Sequence, residues 1–256
     1  NISNARVALT NQAGNNTWAG NIQFDQGLNQ SLYADAGIMT ISGNLTQSGT
    51  PSTSIFVRGA ATGNITGGIN LGTAQFYKTD AGTWTVGSTG NTHGNMQIGN
   101  GVLIANNNNA FSPAASLTLG ETGANATVFT INGTFTQELA AVANAAATSG
   151  AQTINGAGTL STGTTPKTYT VTDVAAADDL TISTALSGAG GFSKTGAGTL
   201  VLNSNSVGTP VTLAAGTLRG AFTATSGLTV NGGTLTPGTS NTAGTITANT
   251  LAFGVG

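Results

Sequence analysis

Acid–base, nucleophilic or metal chemistry needs ionisable side chains held together, and this chain has few to offer. Its 256 residues include six Lys and Arg, eight Asp and Glu, one His and no Cys. His93 sits in the turn-like stretch GSTGNTHGN with no Asp, Glu or Cys close by in sequence. A Ser-His-Asp or zinc reading would therefore have to recruit every other member from distant segments. The residue is expected to be a solvated turn histidine, and His93→Ala to cost little. Asp178 and Asp179 are the one adjacent acidic pair. If DDLTIS is strand throughout, consecutive carboxylates point to opposite faces and cannot work as an acid and base couple. Asp173 adds a third set of oxygens, but the Gly-rich nonapeptide that winds calcium into β-rolls is absent, and a polar turn near Ala175 to Ala177 accounts for the acids. No catalytic, cofactor-binding or metal-binding residue is assigned.

Other chemistry-bearing motifs also read as structural. GAGG at Gly188 to Gly191 looks like a phosphate loop, yet strand and not a helix N-terminus follows it. Lys78 and Lys194 each stand four residues before a Gly-Thr strand start; they are read as strand-flanking gatekeepers or partners of a neighbouring carboxylate, not as ligand contacts. Phe76-Tyr77, Tyr33 and Tyr169 are the aromatics able to stack on sugar rings. Adjacent Phe76 and Tyr77 must face opposite ways, so one of them is expected outside. Asn-x-Ser/Thr triplets at Asn1, Asn15, Asn29, Asn44, Asn64, Asn125 and Asn132 are what chance gives in so Asn- and Thr-rich a chain.

The elements that would position these residues are short strands. From Gly190 to Gly220 the chain reads GGFSKTGAGTLVLNSNSVGTPVTLAAGTLRG. Leu200 and Leu202 share one face of a strand, Thr199 and Val201 the other, and Val211, Leu213 and Leu218 continue the pattern after an Asn/Ser/Gly turn. The stretch from Lys78 superposes on it: Lys78 on Lys194, Gly82 on Gly198, Trp84 on Leu200, Val86 on Leu202 and, after one gap, Ile98 on Leu213, Gly101 on Gly216 and Leu103 on Leu218. Such a unit buries its apolar face only when another copy stacks on it. Trp18, Ile22 and Phe24 share a parity and are expected to face the core together. Asn106 to Asn109 is read as a turn that visits the left-handed region. The exception to strand character is Glu138 to Ser149, ELAAVANAAATS, where Ala content and the spacing of Leu139, Val142 and Ala146 predict a short helical excursion. At about 20 to 25 residues per coil the chain makes roughly eleven coils, a rod of about 50 Å.

The units KTGAGTLVL, LAAGTLRG, NNTWAGNIQF and IGNGVLIANNNNAF resemble the autotransporter-associated β-strand repeats of bacterial surface proteins, and GGTLTPGTSNTAGTITANTLAFG is similar to the Pro-Gly-bearing coil found towards the end of such arrays. The resemblance implies a right-handed parallel β-helix exported to the cell surface, and no catalytic residue.

Composition agrees with a stacked array. Charged residues make up 5% of the chain and there are 39 Gly, against about a quarter charged in ordinary domains. A hydrophobic fraction of 38% separates it from a disordered linker. A net charge of -2 gives no footprint for nucleic acid, and no apolar run is long enough to span a membrane. The expectation is one continuous β-solenoid over residues 1–256, a processed product or excerpt of a longer protein: a non-enzymatic extracellular or bacterial cell-surface stalk, adhesin or fibre, without cofactors. Apolar, uncharged ends such as TLAFGVG predict self-association, head to tail into an oligomer or filament, or continuation of the array. The competing class is a polysaccharide-binding or polysaccharide-degrading β-helix, which would need its few charges or aromatics to converge.

Overall fold

Alternating apolar and Thr/Ser residues over three to five positions, broken by glycine, favour short pleated strands whose one face is buried. The computed structural model describes residues 6–24, 27, 29–48, 54–121, 123, 126–144, 150–203, 206–240 and 242–254. Every regular element among them is a β-strand. The strands wind into a parallel β-solenoid of about ten turns. One long face is a 12-stranded sheet, a second is 11-stranded, and a third face is built of a 3-stranded and a 6-stranded sheet of shorter strands. A single coil shows the path. Phe192–Thr195 lies on the first face, Thr199–Leu202 on the second and Val207–Gly208 on the third, and Val211–Leu213 returns to the first, pairing in parallel with Phe192–Thr195.

The core is a set of rows running along the rod. Trp84, Val86, Leu200 and Leu202 are all fully buried, as their matched spacing requires, and Leu200 lies directly beside Leu218 in the next strand. Traced strand by strand, however, the row of Trp84 passes through Leu103, Phe129, Ile154 and Ile182 to Leu202 and not to Leu200. The offset is two residues, and because side chains alternate with period two it leaves the buried face unchanged. Before Trp84 the same row holds Gly63, where a Cβ would run into the indole. Glycine there makes room for the largest side chain of the core.

Three expectations change. Residues 138–144 are not helical: Thr136–Glu138 is a third-face strand, Leu139 is buried, and Ala141–Asn144 joins the first face with Val142 between Leu117 and Tyr169. Pairing on both sides overrides the helix propensity of Ala, whose small side chain also fits the outward strand positions Ala141 and Ala143. Residues 145–149 lie outside the described residues. Trp18 is 48% exposed although Phe24 is 2% exposed. Trp18 pairs with the fully buried Ile41 and so continues an inward row, but Asn15–Trp18 is the edge strand of the second face, and there Trp18 lines a hollow of about 80 Å³ with Leu9 and Met39. Val201, expected outside, is 1% exposed, because Arg219 follows it in the next strand and reaches out to the 172–179 segment.

Truncating Leu200 or Leu218 to Ala should cost about 2 to 5 kcal/mol of unfolding free energy in urea titrations. Gly63→Ala should cost about 1 to 3 kcal/mol by overpacking against Trp84. Neither loss is expected if those rows face solvent.

Candidate functional site

The residues with chemical potential converge on the corners of the coils, where they serve the backbone. Between a first-face and a second-face strand the chain turns in a few residues; some carbonyls there receive a backbone N–H of the next coil, as Gly59 O does from Gly82, and others are left to side-chain donors. Lys194 points inward and is fully buried; its Nζ donates to Gly196 O (2.6 Å), Gly198 O (2.5 Å) and, one coil on, Ala215 O (2.9 Å). Lys78 repeats the arrangement with Thr79 O (2.7 Å), Asp80 O (2.6 Å) and Asn100 O (3.0 Å). Three carbonyls match the three donors of an ammonium group. The expectation of strand-flanking surface lysines is therefore wrong: the four-carbon stems replace an aliphatic core residue and the charge is spent on backbone oxygens.

Each cage depends on its neighbours. Gly101 and Gly216, matched in sequence, both have positive φ, 73° and 70°, and a Cβ on either would collide with the carbonyls of the preceding corner, at Gly216 with the Lys194 ammonium itself. Where Gly196 adopts φ 78°, the Lys78 corner has Asp80 at φ 63°. Asp is among the few non-glycine residues that tolerate this region, and its carboxylate accepts the Gly59 N–H at 3.0 Å. Burial pushes both lysines down to about 8, opposed by Asp80 and Glu121 at Lys78 and by Asp179 at Lys194. Asn11 and Asn144 occupy similar corners: Asn11 Nδ2 donates to Gly14 O (3.0 Å) and Ala36 O (2.7 Å), and Asn144 exchanges two hydrogen bonds with the backbone of Thr172.

His93 is 5% exposed and not a solvated turn residue. Its Nε2 accepts the Ser112 N–H at 3.0 Å, which leaves Nδ1 to carry the proton and donate to Gly94 O at 2.7 Å. Phe76 and Phe111 flank the ring at centroid distances of 5.7 and 5.9 Å. Burial depresses its basicity, with the Gly94 carbonyl opposing. The rings that hide it, Phe76 and Phe111, lie outside its own stretch of sequence, which therefore carries no signal of them.

The acids divide as expected, in a bent segment and not in strand. Asp179 is 1% exposed and accepts the Val174 N–H (2.7 Å) and the Thr199 N–H (2.6 Å). Asp178 pairs instead with Arg219 on the outer side. Lys167 and Glu138 form a second ion pair at 2.9 Å. No group of three or more His, Cys, Asp or Glu with metal-binding geometry occurs among the described residues. Gly188 to Gly191 leads into the strand Phe192–Thr195. Asn106 to Asn109 both turns, with Asn109 at φ 44°, and bridges: Asn106 Oδ1 receives Asn132 Nδ2 (2.7 Å), and Asn108 and Asn109 receive the backbone of Thr136 and Glu138. Of the aromatics, Phe76 and Tyr169 are buried, Tyr169 stacked on Phe192 at 4.3 Å, while Tyr33 and Tyr77 reach the outside.

Lys194→Met should leave Gly196 O and Ala215 O without a donor, Gly198 O keeping the Thr217 N–H, and cost about 2 to 3 kcal/mol, read as a lower urea midpoint. His93 fixes a pH dependence. Its folded pKa lies below the unfolded value of 6.5, so between the two the unfolded chain binds more protons and stability falls as pH drops below 6.5. Urea midpoints at pH 5 and 7 should differ more in the wild type than in His93→Gln. For both lysines the same linkage makes stability rise as pH increases from about 8 towards 10.5. Searches of family models, curated proteins and solved structures return no match for this chain.

Proposed function

We propose that this chain is a non-enzymatic structural element, a segment of an extracellular or cell-surface stalk or fibre of the kind its repeats resemble. The observation that carries the reading is the employment of its ionisable groups. Lys78, Lys194, His93 and Asp179 are buried and committed to backbone hydrogen bonds that join one coil to the next, an arrangement that gives rigidity and not a reacting centre.

The two edges of the stack support extension of the rod. At one, Leu251 and Phe253 continue the core rows of Leu228 and Val230 yet are 49% and 75% exposed. At the other, Trp18 stands exposed beside its apolar hollow. Apolar row ends and open strand edges favour another layer of parallel β-structure, supplied by the same polypeptide or by a second copy joined head to tail. Such a junction rests on apolar contact and backbone hydrogen bonds, so salt should not dissolve it.

Light scattering and negative-stain electron microscopy of the 256-residue chain test the self-association arm. End-to-end rods that persist at high salt and fall to single rods on Phe253→Asp are the expected result. A wild-type chain that stays monomeric at high concentration would reject it.

A further inference from the structure

The third face is interrupted. Its 3-stranded sheet ends at Ile69–Asn70 and its 6-stranded sheet begins at Thr136–Glu138, so two successive coils cross that face without a strand, in residues 87–95 and 106–115. The first of these segments is tied by its backbone to the coil before it: Leu71 N–H donates to Thr92 O, Thr92 N–H to Ile69 O and Gly94 N–H to Ala74 O, each at 2.8 Å. The second is tied to the coil after it. Asn109 N–H donates to Thr136 O at 2.8 Å, and the Gln137 amide pairs with both backbone groups of Phe111, at 3.0 and 3.1 Å.

Between 87–94 and 107–115 no backbone–backbone hydrogen bond is present among the described residues. Three side chains span the seam instead: Asn107 Nδ2 donates to Gly87 O (3.0 Å), Asn91 Nδ2 donates to Ala110 O (2.7 Å), and His93 Nε2 accepts the Ser112 N–H (3.0 Å). Phe76, His93 and Phe111 pack ring against ring with centroids 5.7 to 5.9 Å apart. Of the three spanning groups only the imidazole titrates. A second proton turns Nε2 into a donor facing another donor, and sets a cation between two phenyl rings. The ionisable residues on the elements packed around it are engaged elsewhere: Lys78 with its corner carbonyls, Tyr77 stacked outside on Phe56, and Glu138 with Lys167.

The geometry points to a pH-gated joint in the rod: proton uptake by His93 parts residues 107–115 from 87–94 while the strands of the first and second faces stay paired. Local opening draws on the stretch with the fewest ladder hydrogen bonds, and here that stretch carries the one histidine of the chain. The low basicity of the buried ring agrees. Its pKa in the closed seam lies below the 6.5 that it regains in water, so the open form takes up the proton first and gains on the closed form as pH falls below 6.5. The joint is independent of whether the rod polymerises.

Amide hydrogen exchange followed by NMR at pH 7 and pH 5, with each rate corrected for the intrinsic rate at that pH, tests it. Ser112 reports the seam. Phe111, held by Gln137 from the other side, and Leu103, paired on both sides in the second face of the same coil, report the surroundings. Protection of Ser112 should fall several-fold at pH 5, with an upper limit of about 25-fold for a proton bound at 6.5 in the open form alone, while Phe111 and Leu103 keep theirs. His93→Gln supplies an acceptor for the Ser112 N–H without a titrating ring and should remove the fall. Unchanged protection at Ser112, an equal fall at all three amides, or the same fall in His93→Gln would overturn the proposal. If that variant fails to fold, the three amides of the wild type decide alone.

Discussion

Winding strands into stacked coils leaves carbonyl groups at some corners that no backbone N–H of the next coil reaches, and the fold depends on finding them donors. Lys78 and Lys194 answer with an ammonium that binds two carbonyls of its own corner and one of the next. Asn11 and Asn144 do so with an amide. These polar plugs also supply what the apolar rows lack. A row of Leu, Ile and Val keeps its buried face after a slip of two residues, as the path from Trp84 to Leu202 shows, so hydrophobic burial alone leaves the register of a coil ambiguous. A lysine that must reach carbonyls on two coils at once does not slip without losing them.

The same logic explains the scarcity of charge. In an ordinary domain charged side chains cover the surface; here the outward positions are taken by Thr, Ser and Gln, whose hydroxyls and amides keep strands wet and suit pleated geometry. What charge remains inside is placed one group at a time against backbone dipoles. Asp179 receives two N–H groups, one from its own bend and one from Thr199, and its field supports the Lys194 cation. His93 stays neutral between Phe76 and Phe111 and links residues 94 and 112.

The alternation of Leu200 with Leu202, the Gly-Thr strand starts and the paired glycines at 101 and 216 made the coil readable from sequence, because period-two burial and positive φ leave direct marks on residue choice. The positions of the ionisable residues were less readable. Lys, His and Asp are normally exposed, and their burial here depends on hydrogen-bond partners, carbonyls for the lysines and N–H groups for His93 and Asp179, from the neighbouring coil about 20 residues away, which no local pattern records. Lys78 and Lys194 did carry one signal, their identical distance from Gly82 and Gly198, and a cation held at fixed spacing from a corner glycine is better explained by a carbonyl cage than by surface protection. For residues 138–144 the local signal pointed the wrong way: Ala favours helix in isolation, while the ladders on either side decide the outcome.

Stacked coils separate inside from outside in a way globular cores do not. Each coil touches only its neighbours, so a change on its outer face needs no compensation elsewhere as long as its inward row is kept. Following the outer row that begins at Ser31 makes this visible: Phe56 and Tyr77 come next, then Gln97, Thr118 and Ala143, while the inward residues beside them remain Ile55, Phe76, Met96, Leu117 and Val142. Aromatic side chains are therefore gathered on two adjacent coils and absent from that row further along, although nothing in the core demands the difference. Packing alone would accept Thr at Phe56 and Tyr77 as it does at Thr118. The stacked rings of Phe56 and Tyr77 beside Arg58 are thus a local feature of the outer side of the first face that the buried rows do not dictate.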